Sequence, residues 1–378
     1  MRTENIIEKL KSYRILDYDF KLVILLITLS TVGVMVVGST EAGSQSKQIA
    51  GVVLGVFLMI FISLLDYTFI AKFYPIYYIL NLFLLSLIFT PLAKSVKGAT
   101  RWVRLPGITF QPSEASKMLL ILFFAQFIMK YKDKVKKLYF VFICFGLMAP
   151  PLIMIVLQPD LSTTIMLTLI LSVILFVAGI DWKLVATVLV VTIPTALIVI
   201  LDALSDKTII LREYQQRRIL AWIHPEDYAT TDAFQTLNSI MAIGSGQLLG
   251  KGYNTNEISS VLSAGFVSES QTDFIFTVVG EEFGFIGSCV VVGLILLIAL
   301  ECYVVAGKAK DMTGTLIAAA MGTWIGFQGF VNIGVVTGVL PNTGLPLPFV
   351  SSGITSLVSC FAGMGLVLNI RLQGKKYY

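Results

Sequence analysis

Residues 184–201 read LVATVLVVTIPTALIVIL, a run of 18 residues without a charged side chain. A helix needs about 20 apolar residues to cross the hydrocarbon core of a bilayer, so this run predicts a transmembrane helix. Comparable runs recur along the chain, and only 13% of its residues are charged, against roughly 25% in a soluble domain. A transmembrane β-barrel would show segments of about ten residues with alternating polarity, whereas these runs are continuous. We therefore predict an all-α integral membrane protein.

About ten transmembrane helices are predicted, and Gly and Pro residues leave the eighth as one long or one broken helix. The polar N-terminal segment precedes an apolar run without a convincing cleavage site, so we expect this first span to be retained. We expect residues 1–378 to form a single polytopic domain. The predicted spans are 20–39, 49–65, 74–93, 113–130, 138–157, 161–179, 184–201, 275–305, 312–336 and 351–370.

Lysine and arginine in short loops predict the orientation, because they concentrate on the cytoplasmic side. Basic residues are dense in 130–137, 307–311 and 371–378, which share one side with the N-terminus when there are ten spans. Both termini are therefore expected in the cytoplasm. The loop 94–112 then lies outside although it carries four basic residues, which suggests an anionic partner. A large outer loop, about 202–272, lies between spans seven and eight and includes an amphipathic stretch and a re-entrant or membrane-edge segment.

Composition excludes several classes of function. The formal net charge of +5 is explained by basic loops at the membrane, so no nucleic-acid partner is expected. The four cysteines lie in apolar runs without metal-ligand spacing. The chain has a single histidine, His224, which excludes a multi-histidine metal site and gives poor support to a Ser-His-Asp triad.

Charged residues at membrane depth cost at least about 2.5 kcal/mol to insert, so each is a functional candidate. Six stand at the ends of predicted spans: Glu114, Lys117, Asp160, Asp273, Glu281 and Glu282. Each has a structural alternative. Glu114 and Lys117 share a helix face and can form an ion pair, Asp160 and Asp273 can cap helices, and the two glutamates can line a polar bundle interior. Their convergence at one depth predicts a polar cavity that opens outward.

Such a cavity suits sugar transfer from a lipid pyrophosphate. A carboxylate can remove the proton of an incoming hydroxyl. Basic groups or a divalent cation can stabilise the charge that grows on the departing pyrophosphate. An α-linked donor that gives a β-linked product requires inversion, so one base is enough. Composition alone does not select this reaction from its rivals.

Six stretches narrow the choice: KGATRWVRLPGITFQPSEASKM (97–118), LQPDLSTT (157–164), YQQRRI (214–219), FQTLNSIMAIGSGQLLGKG (234–252), SESQTDFIFTVVGEEFGFIG (268–287) and NIGVVTGVLPNTGLPLPFVSSGITS (332–356). They resemble the motifs of the SEDS family, the RodA/FtsW-type peptidoglycan glycosyltransferases. They occur in the family's order and cover most of the chain from about residue 97. Two departures stand out: Ser351-Ser352-Gly353-Ile354 replaces the usual SYGG, and Ser162 replaces a glycine.

The resemblance implies polymerisation of lipid II into glycan strands at the outer face of the bacterial cytoplasmic membrane. It implies that Asp273 is the general base and that Glu114 and Lys117 are further catalytic residues. Substrate contacts are expected from Trp102, Arg101, Arg104, Asp160, Arg218, Gln111, Glu281 and Ser351. It also implies a class B penicillin-binding protein as the transpeptidase partner and is compatible with a divalent cation, Mg or Mn. Short tails favour a RodA-like role in elongation, with division and sporulation as alternatives.

Two other classes of function remain open at this stage. A flippase for a lipid-linked precursor would share the polar cavity and the basic outer loop, but it should also offer access from the cytoplasmic side. A non-catalytic scaffold of the elongation or division complex would not need Glu114, Lys117 or Asp273.

Overall fold

The computed structural model describes residues 18–96, 99–105, 108–205, 208–209, 211–254, 267 and 270–374. Parts of four predictions lie outside them: the N-terminal segment 1–17, Lys97 of the basic loop, residues 255–266 of the large loop, and the basic tail beyond 374. The helices are α1 Phe20–Thr40, α2 Ala42–Leu64, α3 Tyr67–Ala71, α4 Tyr74–Ser86, α5 Pro112–Lys130, α6 Leu138–Val156, α7 Leu161–Val177, α8 Trp182–Ala203, α9 Glu213–Ile223, α10 Phe234–Ser245, α11 Ile275–Lys308, α12 Met312–Val336 and α13 Ile354–Leu372.

Ten of these helices overlap the ten predicted spans. Seven of them, α1, α2, α5, α6, α11, α12 and α13, are long and apolar enough to cross a membrane by length and composition, and Tyr74–Phe89 and Leu161–Val177 are shorter apolar helices. The tenth, α8, has 22 residues and covers the run 184–201. The predicted all-α membrane fold with about ten transmembrane helices is confirmed.

Helix α12 is the central helix of the bundle. It contacts α3, α5, α7, α10, α11 and α13, and most of its side chains are buried. Small residues permit this close packing: a Cβ on Gly322 would lie 2.9 Å from the carbonyl oxygen of Ala299 on α11. On the outer helices large apolar side chains such as Phe57 and Phe142 are exposed, as expected of surfaces that face lipid.

A small sheet, absent from the predictions, occupies most of the basic loop. Its strands are β1 Ala93–Val96, β2 Ala99–Leu105 and β3 Ile108–Phe110, all antiparallel, in the order β1-β2-β3. Strand β2 contacts α5. The sheet therefore lies beside α5, and its Arg101 side chain bonds the carbonyl of Gln158 between α6 and α7.

Helix α11 is broken, which decides between the two predicted forms of the eighth span. Gly284 has φ +63° and ψ −159°, a conformation that favours glycine. The chain after α10 bonds the backbone at the break: Lys251 N donates to Glu281 O at 2.9 Å, and Phe285 N donates to Gln247 O at 2.8 Å. Irregular backbone at membrane depth is tolerated where protein covers it and bonds its polar groups, and residues 246–252 do this for α11.

The predicted amphipathic stretch of the large loop forms α9, and the predicted membrane-edge segment contains α10. Helix α10 packs against α11. On α10 the Ser239 hydroxyl donates to Val336 O at 2.9 Å, which joins this helix to the end of α12. Helix α10 of the large loop is therefore part of the packed structure at the end of the bundle where α11 begins.

Candidate active site

A buried ion pair lies at the start of α5. The helix begins with Pro112, at a position where a proline loses no hydrogen bond, and Glu114 and Lys117 lie one turn apart. Lys117 Nζ is 2.7 Å from Glu114 Oε1, and the two side chains are 0% and 2% exposed. The ion pair considered as a structural alternative is therefore present. Glu114 Oε2, however, is buried without a hydrogen-bond partner among the residues that the structure describes, so the pair retains an acceptor for a ligand or for water.

Lys117 is also bound to the central helix. Its Nζ donates to Gln328 Oε1 at 2.8 Å and lies 5.1 Å from the centre of the Trp324 ring. Trp324 Nε1 donates to the same Gln328 oxygen at 2.7 Å. A carboxylate, an amide oxygen and an aromatic face thus surround a charge that would otherwise be very costly to bury.

Gln328 in turn bonds the chain between α12 and α13. Its Nε2 donates to Pro346 O at 2.8 Å. We call residues 342–353, which include Pro346 and have no regular secondary structure, the C-terminal loop. The ion pair of α5 is thereby connected through α12 to this loop.

Asp273 lies just before α11, where it is half-buried. The N-cap position of α11 is held by Phe274, so neither Thr272 nor Asp273 takes it. The C-terminal loop approaches the carboxylate closely: a Cβ on Gly344, whose φ is +72°, would lie 3.2 Å from Asp273 Oδ2. A glycine at this position lets the loop backbone approach the carboxylate without a side chain between them.

Two arginines from separate segments accompany Asp273. Arg218 of α9 is within electrostatic range of Asp273 and of Arg101, and its Nη1 donates to Asn342 O of the C-terminal loop at 3.3 Å. Arg101 of β2 donates from Nε to Gln158 O at 3.1 Å and from Nη2 to the neighbouring carbonyl of Pro159. Arg218 therefore lies within electrostatic range of Arg101 and of two carboxylates, Asp232 and Asp273, at this end of the bundle.

The remaining predicted residues of the basic loop lie nearby in sequence. Arg101 stands at a shift in the register between β1 and β2, because Lys94 pairs with Trp102 and Ser95 pairs with Thr100. Trp102 is half-buried, and Arg104 is exposed. Gln111 is half-buried and directly precedes α5. Their predicted substrate contacts stay predictions.

Three other predicted site residues make contacts within the protein. Asp160 caps α7: Oδ1 accepts from Thr163 N at 3.2 Å, and Oδ2 accepts from the Thr163 hydroxyl at 2.9 Å. Glu281 is fully buried at the break in α11 and pairs with Lys251 at 2.9 Å. The structure thus forms the cap that the sequence offered for Asp160 and gives Glu281 a structural partner.

The third, Ser351, bonds backbone groups with its hydroxyl. Ser351 Oγ accepts from Leu347 N at 2.7 Å and donates to Thr272 O at 2.6 Å. These contacts place it beside the Asp273 segment, and its predicted contact with substrate stays a prediction.

Sequence reasoning missed two side chains that organise the site, Gln328 and Asn332. Asn332 Nδ2 donates to Asp273 O and to Leu345 O, at 2.7 Å in each case. Both residues lie in the apolar span 312–336, four apart, and so share one helix face. That spacing was a usable signal, but a search confined to ionisable residues passes over amides.

A family model described as cell cycle protein, for FtsW, RodA and SpoVE, matches residues 15–376. The chain belongs to the FtsW/RodA/SpoVE family. The predictions of a SEDS-family protein and of a peptidoglycan glycosyltransferase are confirmed at this level, because curated relatives carry that name.

Relatives of the FtsW/RodA/SpoVE family match nearly the whole chain. A probable peptidoglycan glycosyltransferase FtsW of Geobacter metallireducens is 33% identical over 97% of this chain and 98% of its own. The peptidoglycan glycosyltransferase MrdB of Escherichia coli K12 is 31% identical over 94% of each chain.

Solved structures of the family share the fold. One solved structure concerns the structural coordination of polymerization and crosslinking by a peptidoglycan synthase complex. Its matching chain has a TM-score of 0.76 at 26% identity, and the match covers 94% of this chain and 97% of that one. The rod shape determining protein RodA of Thermus thermophilus has a TM-score of 0.66 at 25% identity, covering 94% and 96%.

The donor set does not favour a metal site formed by the protein alone. Among the residues that the structure describes, no group of three or more His, Cys, Asp or Glu side chains could hold a metal ion. The expected divalent cation stays a prediction, and the chemistry below is derived from the chain's own residues.

Proposed function

We propose that this FtsW/RodA/SpoVE-family chain polymerises lipid II into glycan strands by inverting transfer, with Asp273 as general base. The observation that carries the proposal is that Asp273, which lies beside the C-terminal loop, is within electrostatic range of Arg218, and that Arg218 is also within range of Arg101. One acceptor of protons and two fixed positive charges are the groups that this reaction needs.

In the proposed step the Asp273 carboxylate accepts the proton of the acceptor sugar's hydroxyl. The hydroxyl oxygen attacks the anomeric carbon of the donor as the bond from that carbon to the pyrophosphate oxygen breaks. Attack from the opposite face converts an α-linked donor into a β-linked product, so no covalent enzyme intermediate is required. Undecaprenyl pyrophosphate leaves with the bonding electrons.

Basic residues of the site are proposed to bind the lipid pyrophosphate. Arg101 and Arg218 supply guanidinium groups, which suit phosphate oxygens because they can donate two parallel hydrogen bonds. The positive charges stabilise the leaving group more as its negative charge grows. Arg104 and Trp102 extend the same strand toward the surface.

The ion pair of Glu114 and Lys117 is proposed to act next to these groups. Lys117 is connected to the C-terminal loop through Gln328 and Pro346. Within the described part of the chain Glu114 Oε2 has no hydrogen-bond partner, and we assign it to a substrate hydroxyl. We assign the pair to substrate binding and to the electrostatics of the site, because Asp273 already supplies the base.

The chemistry is proposed to take place at the outer face of the bacterial cytoplasmic membrane, with both termini in the cytoplasm. The support is the charge of the loops: 130–137 contains five lysines and lies between α5 and α6, at the end of α5 far from Glu114. Positively charged short loops favour the cytoplasmic side.

We also propose a class B penicillin-binding protein as partner and a RodA-like role in elongation. The similar chain comes from a structure of a peptidoglycan synthase complex that coordinates polymerization and crosslinking. Crosslinking in such a complex supports a transpeptidase partner for this chain. Relatives named FtsW and MrdB match over comparable lengths. The choice between a role in elongation and a role in division is therefore tested in cells. Restored rod shape in a strain that lacks its own elongation enzyme would support the proposal, and restored septation alone would overturn it.

The test of function is polymerisation of lipid II by the purified protein with its transpeptidase partner. The wild type should make glycan strands, and Asp273→Ala should make none while retaining its thermal stability and the partner. Strands from both forms would overturn the assignment of the base. Translocation of lipid II without strands would indicate a flippase, and partner binding without either activity would indicate a scaffold.

A further inference from the structure

The C-terminal loop has few backbone partners of its own, and side chains supply donors to its carbonyls. Gln48 of α2 donates from Nε2 to Val350 O at 3.3 Å and to Ser351 O at 3.2 Å. Gln328 of α12 bonds Pro346 O at 2.8 Å. Buried carbonyls must be bonded, and buried amide side chains from two helices meet that need here. The loop is thus held in a defined position relative to the bundle.

The same loop and α12 bond three successive carbonyls of the segment that ends in Asp273. Ser352 N donates to Gln271 O at 2.8 Å, and Ser351 Oγ donates to Thr272 O at 2.6 Å. Asn332 Nδ2 donates to the carbonyl of Asp273 itself at 2.7 Å. We call these three hydrogen bonds the carbonyl clamp.

The two side chains of the carbonyl clamp each bond the loop as well as the Asp273 segment. Asn332 Nδ2 also donates to Leu345 O at 2.7 Å, next to Gly344, whose backbone approaches the Asp273 carboxylate. Ser351 Oγ also accepts from Leu347 N at 2.7 Å. Each side chain therefore sets the distance between the loop and Asp273 rather than filling space on one of them.

We propose that Asn332 and Ser351 are positioning residues for glycosyl transfer, which act by holding the backbone of Asp273 against the C-terminal loop. This inference rests on the proposed function of Asp273. Proton transfer requires the base within about 2.6–3.2 Å of the proton's oxygen, and a misplacement of about 1 Å can cost a hundredfold in rate. Three bonds on three successive residues restrict such a displacement.

The test compares Asn332→Ala with a matched control, Asn369→Ala. Asn369 is also a fully buried asparagine that bridges backbone groups: Nδ2 donates to Ser63 O at 2.7 Å, and Oδ1 accepts from Tyr67 N at 2.9 Å. It lies near the opposite end of the bundle. Both full-length variants, with the transpeptidase partner, are measured for thermal stability and for kcat and KM with lipid II.

We expect both asparagine variants to lose stability to a similar extent, and only Asn332→Ala to lose turnover. Its kcat should fall about tenfold or more with little change in KM. Equal kcat values for the two variants at equal folded fraction would overturn the proposal. A loss confined to KM would also overturn it, because that result would indicate substrate binding.

A second pair keeps the test decisive if Asn332→Ala does not fold. Ser351→Ala removes the hydroxyl of the carbonyl clamp, whereas Ser351→Thr keeps it. We expect kcat to fall in the first and to recover in the second, and equal kcat values in both would overturn the proposal. Asp273→Ala is measured beside them: if it retains full activity, the base assignment has failed, whatever the clamp variants do.

Discussion

Lys117 and Glu114 carry opposite charges, and both are buried in the bundle. The two side chains are 0% and 2% exposed, and their charged atoms are 2.7 Å apart. Replacement of a buried ion pair by apolar residues is often neutral for stability, whereas removal of one partner costs about 3–5 kcal/mol. Stability alone therefore does not explain the pair, which favours a role in the chemistry.

Variants of this pair separate its structural from its functional role. Lys117→Met should destabilise the protein by about 3–5 kcal/mol, because it leaves Glu114 buried without its counter-charge. The double variant Glu114→Gln/Lys117→Met should regain most of that stability and still fail to polymerise lipid II. Thermal unfolding in detergent and the polymerisation assay measure the two effects. A double variant that polymerises at the wild-type rate would assign the pair to structure alone.

Charged residues of the candidate site were easier to predict from the sequence than uncharged ones. Ionisable residues in apolar runs are conspicuous, so Glu114, Lys117 and Asp273 could be selected before the fold was known. Gln328 and Asn332 could not be selected in this way, because an amide in a span is less costly than a charge. The partners of Glu281 also depend on tertiary contacts that no local pattern encodes.

Helix α11 begins just after Asp273 and contains a break in its backbone at Gly284. Its break at Gly284 lies three turns after Asp273 and is bonded by residues 246–252 of the large loop. A Cβ on Gly284 would lie 2.3 Å from Gly250 N. The chain after α10 therefore packs against the break only because both positions lack side chains.

Substitution of Gly284 should disturb this contact. Gly284→Ala should destabilise the protein by at least about 1–3 kcal/mol from backbone strain, and it should also lower polymerisation by displacing the first half of α11. Gly293→Ala is the matched control, since it lies in the same helix and, apart from its chain neighbours and the nearby helix backbone, no atom of the described residues lies within 4 Å of its added Cβ. Thermal unfolding of both variants tests this, and equal stability would show that the break does not require glycine.

The helices were predictable and the sheet was not, for a physical reason. Long apolar runs indicate transmembrane helices whatever the tertiary contacts, and ten such runs match ten helices. The strands of 93–110 are short and contain lysine and arginine, and only Val103 among the described residues of β2 is buried. Likewise, Gly280, Gly284 and Gly287 in one run indicated that α11 could break, but not at which glycine.

For the whole molecule, orientation in the membrane decides which face carries the chemistry. Single cysteines are introduced at exposed positions in a Cys289→Ser background, because Cys289 is exposed. Asp227→Cys, after α9, should react with a membrane-impermeant maleimide in intact cells. Asp133→Cys, between α5 and α6, should react only after permeabilisation. The reverse pattern would place the site in the cytoplasm and overturn the proposed location.

The proposed glycosyl transfer depends on one carboxylate, Asp273, to which the motifs, the two arginines and the carbonyl clamp all point. The most direct test is the rate of lipid II polymerisation by the full-length protein with its partner, comparing wild type, Asp273→Asn and the exposed control Asp227→Asn. Asp273→Asn keeps the size of the side chain and removes its ability to accept a proton. We predict no glycan strands from Asp273→Asn and wild-type rates from Asp227→Asn. Strands made by Asp273→Asn at the wild-type rate would contradict the account.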